Sequence, residues 1–148
     1  MNCVIDASVF VAALRKEEPR YDASRRFLQR VQVSNSTVFC PTLILPECAA
    51  AIARATDDAT LVREVILQIE SFPGIQLVPV ELYLARQAAQ LAMDCRLRGA
   101  DSVYAAVAAS FGAVLITWDN EMIERAAAMV TVQSPEEWLQ ENPIYPPD

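Results

Sequence analysis

Asn2-Cys3-Val4-Ile5-Asp6-Ala7-Ser8, set beside Ala113-Val114-Leu115-Ile116-Thr117-Trp118-Asp119, decides the fold. Each stretch is a short apolar run that closes on an aspartate. Unbroken apolar runs of this length are the pattern of parallel strands covered by helices on both faces. Asp6 directly follows the first run, and only Trp118 separates Asp119 from the second. Both carboxylates are therefore expected at the carboxyl ends of parallel strands, the edge where α/β sheets build their sites.

The segments between these runs alternate in period. Residues 7–14 are predicted as a short helix and 20–33 as an amphipathic one, with Phe27, Leu28 and Val31 on one side. Residues 37–40 read as a strand closed by Pro41. Thr42 is the expected N-cap of a helix reaching about Ala55, with Pro46 tolerated near its first turn. A further helix starts at Asp57 or Asp58 and ends near Phe72-Pro73-Gly74, before a strand over 76–80. Helices are predicted over 82–97, broken by Arg98-Gly99, and over 100–111, stopped by Gly112. After the 113–117 strand come a helix over 120–128 and a last strand over 129–132. Ser134-Pro135-Glu136-Glu137 is a capping box with proline at the first helical position, and it opens a terminal helix. The expected fold is a three-layer α/β/α sandwich around a mainly parallel sheet of four or five strands. One domain is expected over residues 1–141, with a proline-rich tail over 142–148.

Composition narrows the chemistry. The 148 residues are 53% hydrophobic and 21% charged, a globular balance. Three glycines leave no glycine-rich phosphate loop. Histidine is absent, which removes Ser-His-Asp and Cys-His catalysis and imidazole metal ligands. Lys16 is the one lysine. The four cysteines form no C-x-x-C pair and are expected to be reduced and buried. No apolar stretch approaches the roughly 20 residues of a membrane span, and the opening lacks the pattern of a signal peptide, so a cytoplasmic location is expected. The net charge of −7 weighs against nucleic acid, yet six bases face four acids within residues 1–30, which leaves room for a local basic face.

What remains for acid–base or metal work is carboxylate. Glu47 is predicted early in the helix after the second strand, and Asp101 opens the helix before the 113–117 strand. Right-handed crossovers can bring Asp6, Glu47, Asp101 and Asp119 to one edge of the sheet. Four carboxylates gathered without counter-charge repel, and a hard divalent cation relieves that repulsion while supplying chemistry for phosphodiester hydrolysis. Each acid alone also fits a plainer role: Asp6, Asp101 and Asp119 as caps or first-turn residues, Glu47 as a solvated helix residue.

Four segments carry a resemblance: Ile5-Asp6-Ala7-Ser8, Leu45-Pro46-Glu47, Arg98-Gly99-Ala100-Asp101-Ser102-Val103-Tyr104-Ala105-Ala106-Val107-Ala108, and Leu115-Ile116-Thr117-Trp118-Asp119. In these the chain resembles PIN-domain ribonucleases, and above all the VapC-type toxins of bacterial and archaeal toxin–antitoxin pairs. The resemblance implies a PIN-like fold, Mg²⁺ or Mn²⁺ held by Asp6, Glu47, Asp101 and Asp119, and cleavage of single-stranded RNA. It also implies a homodimer neutralised by a cognate antitoxin. Ser8 and Thr117 match the supporting hydroxyls, which orient a carboxylate or a water. Trp118 departs from the family's usual small or polar residue and serves either to stack on a base or to pack beside the site.

Two other function classes compete. One is a non-catalytic PIN-like module that keeps its acids for structure or for docking a basic partner. The other is a phosphoaspartyl enzyme or receiver with Asp6 as nucleophile or phosphoacceptor; Lys16, after the first strand instead of a late one, is misplaced for it. Asp94 is expected to face solvent or pair with Arg98 at i, i+4. Glu121 and Glu124 are outer ligands or a solvated face. Arg15, Lys16, Arg20, Arg25, Arg26, Arg96 and Arg98 are phosphate contacts or a solvated face. Leu43, Leu45, Leu61, Val62, Val65 and Ile66 belong either to the core or to an interface with a partner.

Overall fold

A computed structural model of the chain describes residues 1–144, so the last four residues of the proline-rich tail lie outside the described residues. The chain runs β1 (Asn2–Ile5), α1 (Ala7–Leu14), α2 (Tyr21–Val33), β2 (Thr37–Pro41), α3 (Ile44–Thr56), α4 (Ala59–Glu70) and β3 (Ile75–Val78). It continues through α5 (Leu82–Cys95), α6 (Gly99–Phe111), β4 (Val114–Ile116), α7 (Asn120–Ala126), β5 (Val132–Gln133) and α8 (Pro135–Glu141). The five strands form one sheet in the order β3-β2-β1-β4-β5, and every neighbouring pair is parallel.

The chain steps outward from β1 to β2 to β3, then crosses back to add β4 and β5 on the other side. Strand order therefore reverses between β1 and β4, where Val4 sits opposite Leu115 and Ile5 opposite Ile116. A crevice opens at such a reversal, because the helices after the two strands leave on opposite faces. Asp6 and Asp119 stand on its two sides.

The α/β/α layering follows from burial. Val4, Ile5, Leu115 and Ile116 are fully shielded, as strands covered on both faces must be. α6 lies against β1, β2 and β4, and its small Ala105, Ala106 and Ala108 allow a close approach to the sheet; α5 covers its outer side. α1 to α4 pack together as the opposite layer, and α8 closes on α2. Trp138 of α8 meets Phe27 of α2 edge-on, ring centres 5.1 Å apart. Leu43, Leu45, Leu61, Val62 and Ile66 are half-buried against the core and Val65 is wholly buried, so all six contribute to packing within the chain. Cys3, Cys40 and Cys48 are buried free thiols, while Cys95 is only half-buried.

Several boundaries differ from the sequence expectations for local reasons. Thr42 does not cap α3; its amide donates to Val78 O and its carbonyl accepts from Leu45 N, so it belongs to a turn and the helix starts at Ile44. Asp58 caps α4 through Thr60 N and Leu61 N, whereas Asp57 ends α3 in the left-handed region. α5 stops at Cys95 because Arg96 turns left-handed, and Gly99 belongs to α6. β3 spans 75–78 and gives way at Pro79. β5 is Val132–Gln133, since Met129 and Val130 donate back to Ala126 O and close α7 early. Gly74 is obligatory: its φ is +77°, and a Cβ there would lie 2.7 Å from Ser36 O.

Ile5→Ala, in the most enclosed strand, is expected to lower unfolding free energy by about 2–5 kcal/mol, read as a shifted urea midpoint. Val33→Ala, at an exposed helix end, should stay within about 0.5 kcal/mol of the parent.

Candidate functional site

Asp6 holds the centre. Its amide donates to Ile116 O at 2.9 Å, which continues the β1–β4 ladder one residue past the strand. It occupies the N-cap position of α1, yet its side chain caps nothing. Instead Oδ2 accepts from Ser8 Oγ at 2.7 Å and from Thr117 Oγ1 at 2.8 Å. Those hydroxyls are themselves held: Ser8 Oγ accepts from Trp118 N at 3.1 Å, and Thr117 Oγ1 from Asp119 N at 3.0 Å. The ends of β1 and β4 are thus stitched together through one carboxylate oxygen. Asp6 is 7% exposed, and burial pushes its carboxyl above the usual range against the pull of the two hydroxyl bonds.

Glu47 lies in the first turn of α3, half-buried, and its Oε1 accepts from Tyr104 Oη at 2.6 Å. Burial raises its pKa; Tyr104 and Arg98 oppose the shift, and the nearby charges of Asp6 and Asp101 add to it. Asp101 lies in the first turn of α6 and is raised by burial first and by the charges of Asp6 and Asp119, while Arg98 pulls it down. Asp119 caps α7: Oδ1 accepts from Glu121 N at 2.9 Å and Met122 N at 3.2 Å.

All four acids line one open cleft of about 570 Å³, together with Ser8, Arg54 and Arg98. α3 presents Glu47, Ala50, Ala51 and Arg54 to it, positions i, i+3, i+4 and i+7 of one helical face. Arg98 spans the mouth. Its Nε donates to Asp101 Oδ2 at 3.1 Å and its Nη2 to Asp119 Oδ2 at 2.5 Å. Asp94 is not its partner; Asp94 accepts from Gln90 instead. Glu121 pairs with Arg125 on the surface of α7.

The donor set suits a hard divalent cation in kind, since every candidate ligand is a carboxylate oxygen. Asp6 Oδ1, Glu47 Oε2 and Asp101 Oδ1 accept no side-chain hydrogen bond among the described residues. In spacing the acids stand apart: among the described residues no group of three or more acidic or cysteine side chains is gathered closely enough to hold a metal ion as placed.

Trp118 packs beside the site. It is 8% exposed, its Nε1 donates to Ser24 Oγ at 2.8 Å, and the Arg20 guanidinium lies 4.8 Å from its ring centre. Tyr104 and Arg54 went unmarked in the sequence as site residues. Tyr104 stands three residues after Asp101, one turn along the same helical face, and that spacing was the available signal.

The profile of the PIN domain matches residues 3–128. The chain belongs to the PIN-domain family. Similar solved structures include VapC20 of Mycobacterium tuberculosis, described as a sarcin–ricin loop cleaving toxin, at 18% identity and a TM-score of 0.69 over 88% of this chain and 98% of that one. VapBC2 of Rickettsia felis, bound to a DNA fragment from its promoter, matches at 14% identity and 0.70 over 90% and 98%. FitAcB of Neisseria gonorrhoeae matches at 18% identity and 0.69 over 92% and 99%. At these identities the likeness is one of fold. No curated protein sequence matches the chain. PIN nucleases generally use divalent metals.

The raised carboxyls give this PIN domain a pH signature. A carboxyl whose folded pKa lies above its unfolded value favours the fold fully below the ordinary range, about pH 4, and that contribution is lost as pH rises through the folded value. In metal-free protein the Tm gain of Asp6→Asn over the parent is therefore expected to be largest near pH 8 and to shrink toward pH 4, followed by calorimetry.

Proposed function

We propose that this PIN domain is a metal-dependent ribonuclease that cleaves phosphodiester bonds of single-stranded RNA, the toxin of a toxin–antitoxin pair. The observation that carries the reading is the convergence of Asp6, Glu47, Asp101 and Asp119 on one cleft at the sheet's reversal point. In this reading those four residues hold Mg²⁺ or Mn²⁺. When bound, such an ion supplies positive charge for an attacking water and for the leaving oxygen.

The chain's own residues do the rest. Ser8 and Thr117 fix Asp6 by occupying Oδ2, which leaves the other oxygen for a ligand. Tyr104 does the same for Glu47 through Oε1. Arg54 and Arg98 are the two cations lining the cleft and offer contacts to backbone phosphates despite the acidic total charge. An antitoxin partner is supported by other chains of this fold that come from toxin–antitoxin complexes. A homodimer and a cytoplasmic location are part of the same proposal; among the described residues no helix is long and apolar enough to cross a membrane.

A second reading, a non-catalytic PIN-like protein-binding module, draws on one observation: Arg98 already bridges Asp101 and Asp119, so two of the four acids share a counter-charge within the chain.

The test is incubation with single-stranded RNA in Mg²⁺ or Mn²⁺, with a chelator as control. Asp6→Asn and Asp101→Asn are expected to lose at least about 100-fold in kcat/KM, and Ser8→Ala and Thr117→Ala about 10–100-fold, as supporting partners of metal ligands do. Unaltered cleavage in Asp6→Asn would remove the catalytic reading. Saturating metal is also expected to raise Tm, with about 2.7 kcal/mol of added stability at 100 times Kd; a module without metal chemistry would show no rise.

A further inference from the structure

Arg98 is the cation of the cleft that pairs directly with two of its acids, a contact that a carboxylate metal site does not call for. Its forked guanidinium takes Oδ2 of Asp101 and Oδ2 of Asp119 at once, so it bridges α6 to the turn after β4. A cation gathered by these acids competes with it directly at Asp119 Oδ2, since Asp119 Oδ1 caps α7, and shares the Asp101 carboxylate with it. The side chain is nonetheless 66% exposed, and these two bonds are its only polar anchors among the described residues. Its backbone sits in the segment between α5 and α6, just before Gly99. An exposed guanidinium tied at one end by two ion pairs is held weakly, because solvent screens such pairs.

We propose that Arg98 is a displaceable internal counterion: it pairs with Asp101 and Asp119 when no divalent cation is bound, gives way at these carboxylates to a divalent cation, and then holds a phosphate of the RNA strand at the cleft mouth. This rests on the ribonuclease reading. The same guanidinium suits a phosphate in the second role, because its planar fork matches both groups. One positive charge thus serves first to hold Asp101 and Asp119 side by side and then to bind the substrate. The alternative is a fixed strut, in which Arg98 never leaves its two acids and organises them for the metal.

The two are separated by titrating Mn²⁺ or Mg²⁺ into metal-free parent, Arg98→Gln and Arg98→Lys by calorimetry, with no RNA present. Displacement predicts that Arg98→Gln binds metal at least about 5-fold more tightly, the size of an ordinary coupling between sites, while its metal-free Tm falls. Arg98→Lys, which keeps the charge and loses the fork, should lie between the two. In the parent itself, the Arg98 Nε–H resonance is expected to move or broaden on addition of Mg²⁺, a readout that does not depend on any variant folding. Under turnover, the salt dependence of log KM for RNA should lose a slope of about 0.7 in Arg98→Gln, the share of one phosphate contact on a single strand. Equal or weaker metal binding by Arg98→Gln, or an unmoved Arg98 resonance at saturating Mg²⁺, overturns the proposal and leaves the strut, with the ribonuclease reading intact. Metal binding by Arg98→Gln where the parent shows none is its strongest support. Absence of metal binding in all three proteins sinks the ribonuclease reading and this inference together.

Discussion

The structure depends on how one buried carboxylate is tolerated. Asp6 stands at the end of the most enclosed strand, where an unsatisfied charge would be prohibitive. Two hydroxyls make it tolerable, and each is anchored by an amide of the next chain segment: Ser8 by Trp118 N, Thr117 by Asp119 N. The arrangement is reciprocal. Asp6 needs the turn after β4 to be in place, and that turn is fixed partly because Asp6 is there. The neighbouring acids inherit their positions from this frame, Asp119 directly through the turn and Asp101 through Arg98.

Much of this was legible in the sequence because apolar runs and their polar stops report burial. The strands ending at Asp6 and before Trp118 could be read, and so could the alternation with helices that makes the sheet parallel. Asp119 illustrates why the plain and the functional readings of an acid need not compete. One of its oxygens caps α7 while the other faces Arg98, so a capping position and a site position coincide. Asp6 shows the reverse, an N-cap position whose side chain does no capping.

What the sequence withheld is the choice of side-chain partner, near and far. The Arg98 side chain had an acid within helical reach on each side, Asp94 and Asp101, and periodicity alone does not choose between them. The choice follows from α5 ending at Cys95, where Arg96 turns left-handed and takes Asp94 out of register with the following helix. Tyr104 was hidden for a similar reason. It belongs to an apolar stripe and is wholly buried, yet its hydroxyl reaches Glu47 on another helix, a contact that only the packed layers create. Trp118 looked open to a base and is instead enclosed by Ser24 and Arg20 of the α2 region, which convert a candidate stacking platform into a wall.

The family match ends at residue 128, but the molecule's architecture does not. Thr131 O, just before β5, and Gln133 O within it receive the amides of Leu115 and Thr117, and Trp138 is the partner that encloses Phe27. During synthesis these segments leave the ribosome after all four acids. Until they do, β4 is an open sheet edge, Phe27 is uncovered, and the threonine that steadies Asp6 has a free backbone. A nascent chain of this kind has every acid it needs before it can hold them still, so competence arrives only once β5 and α8 have emerged.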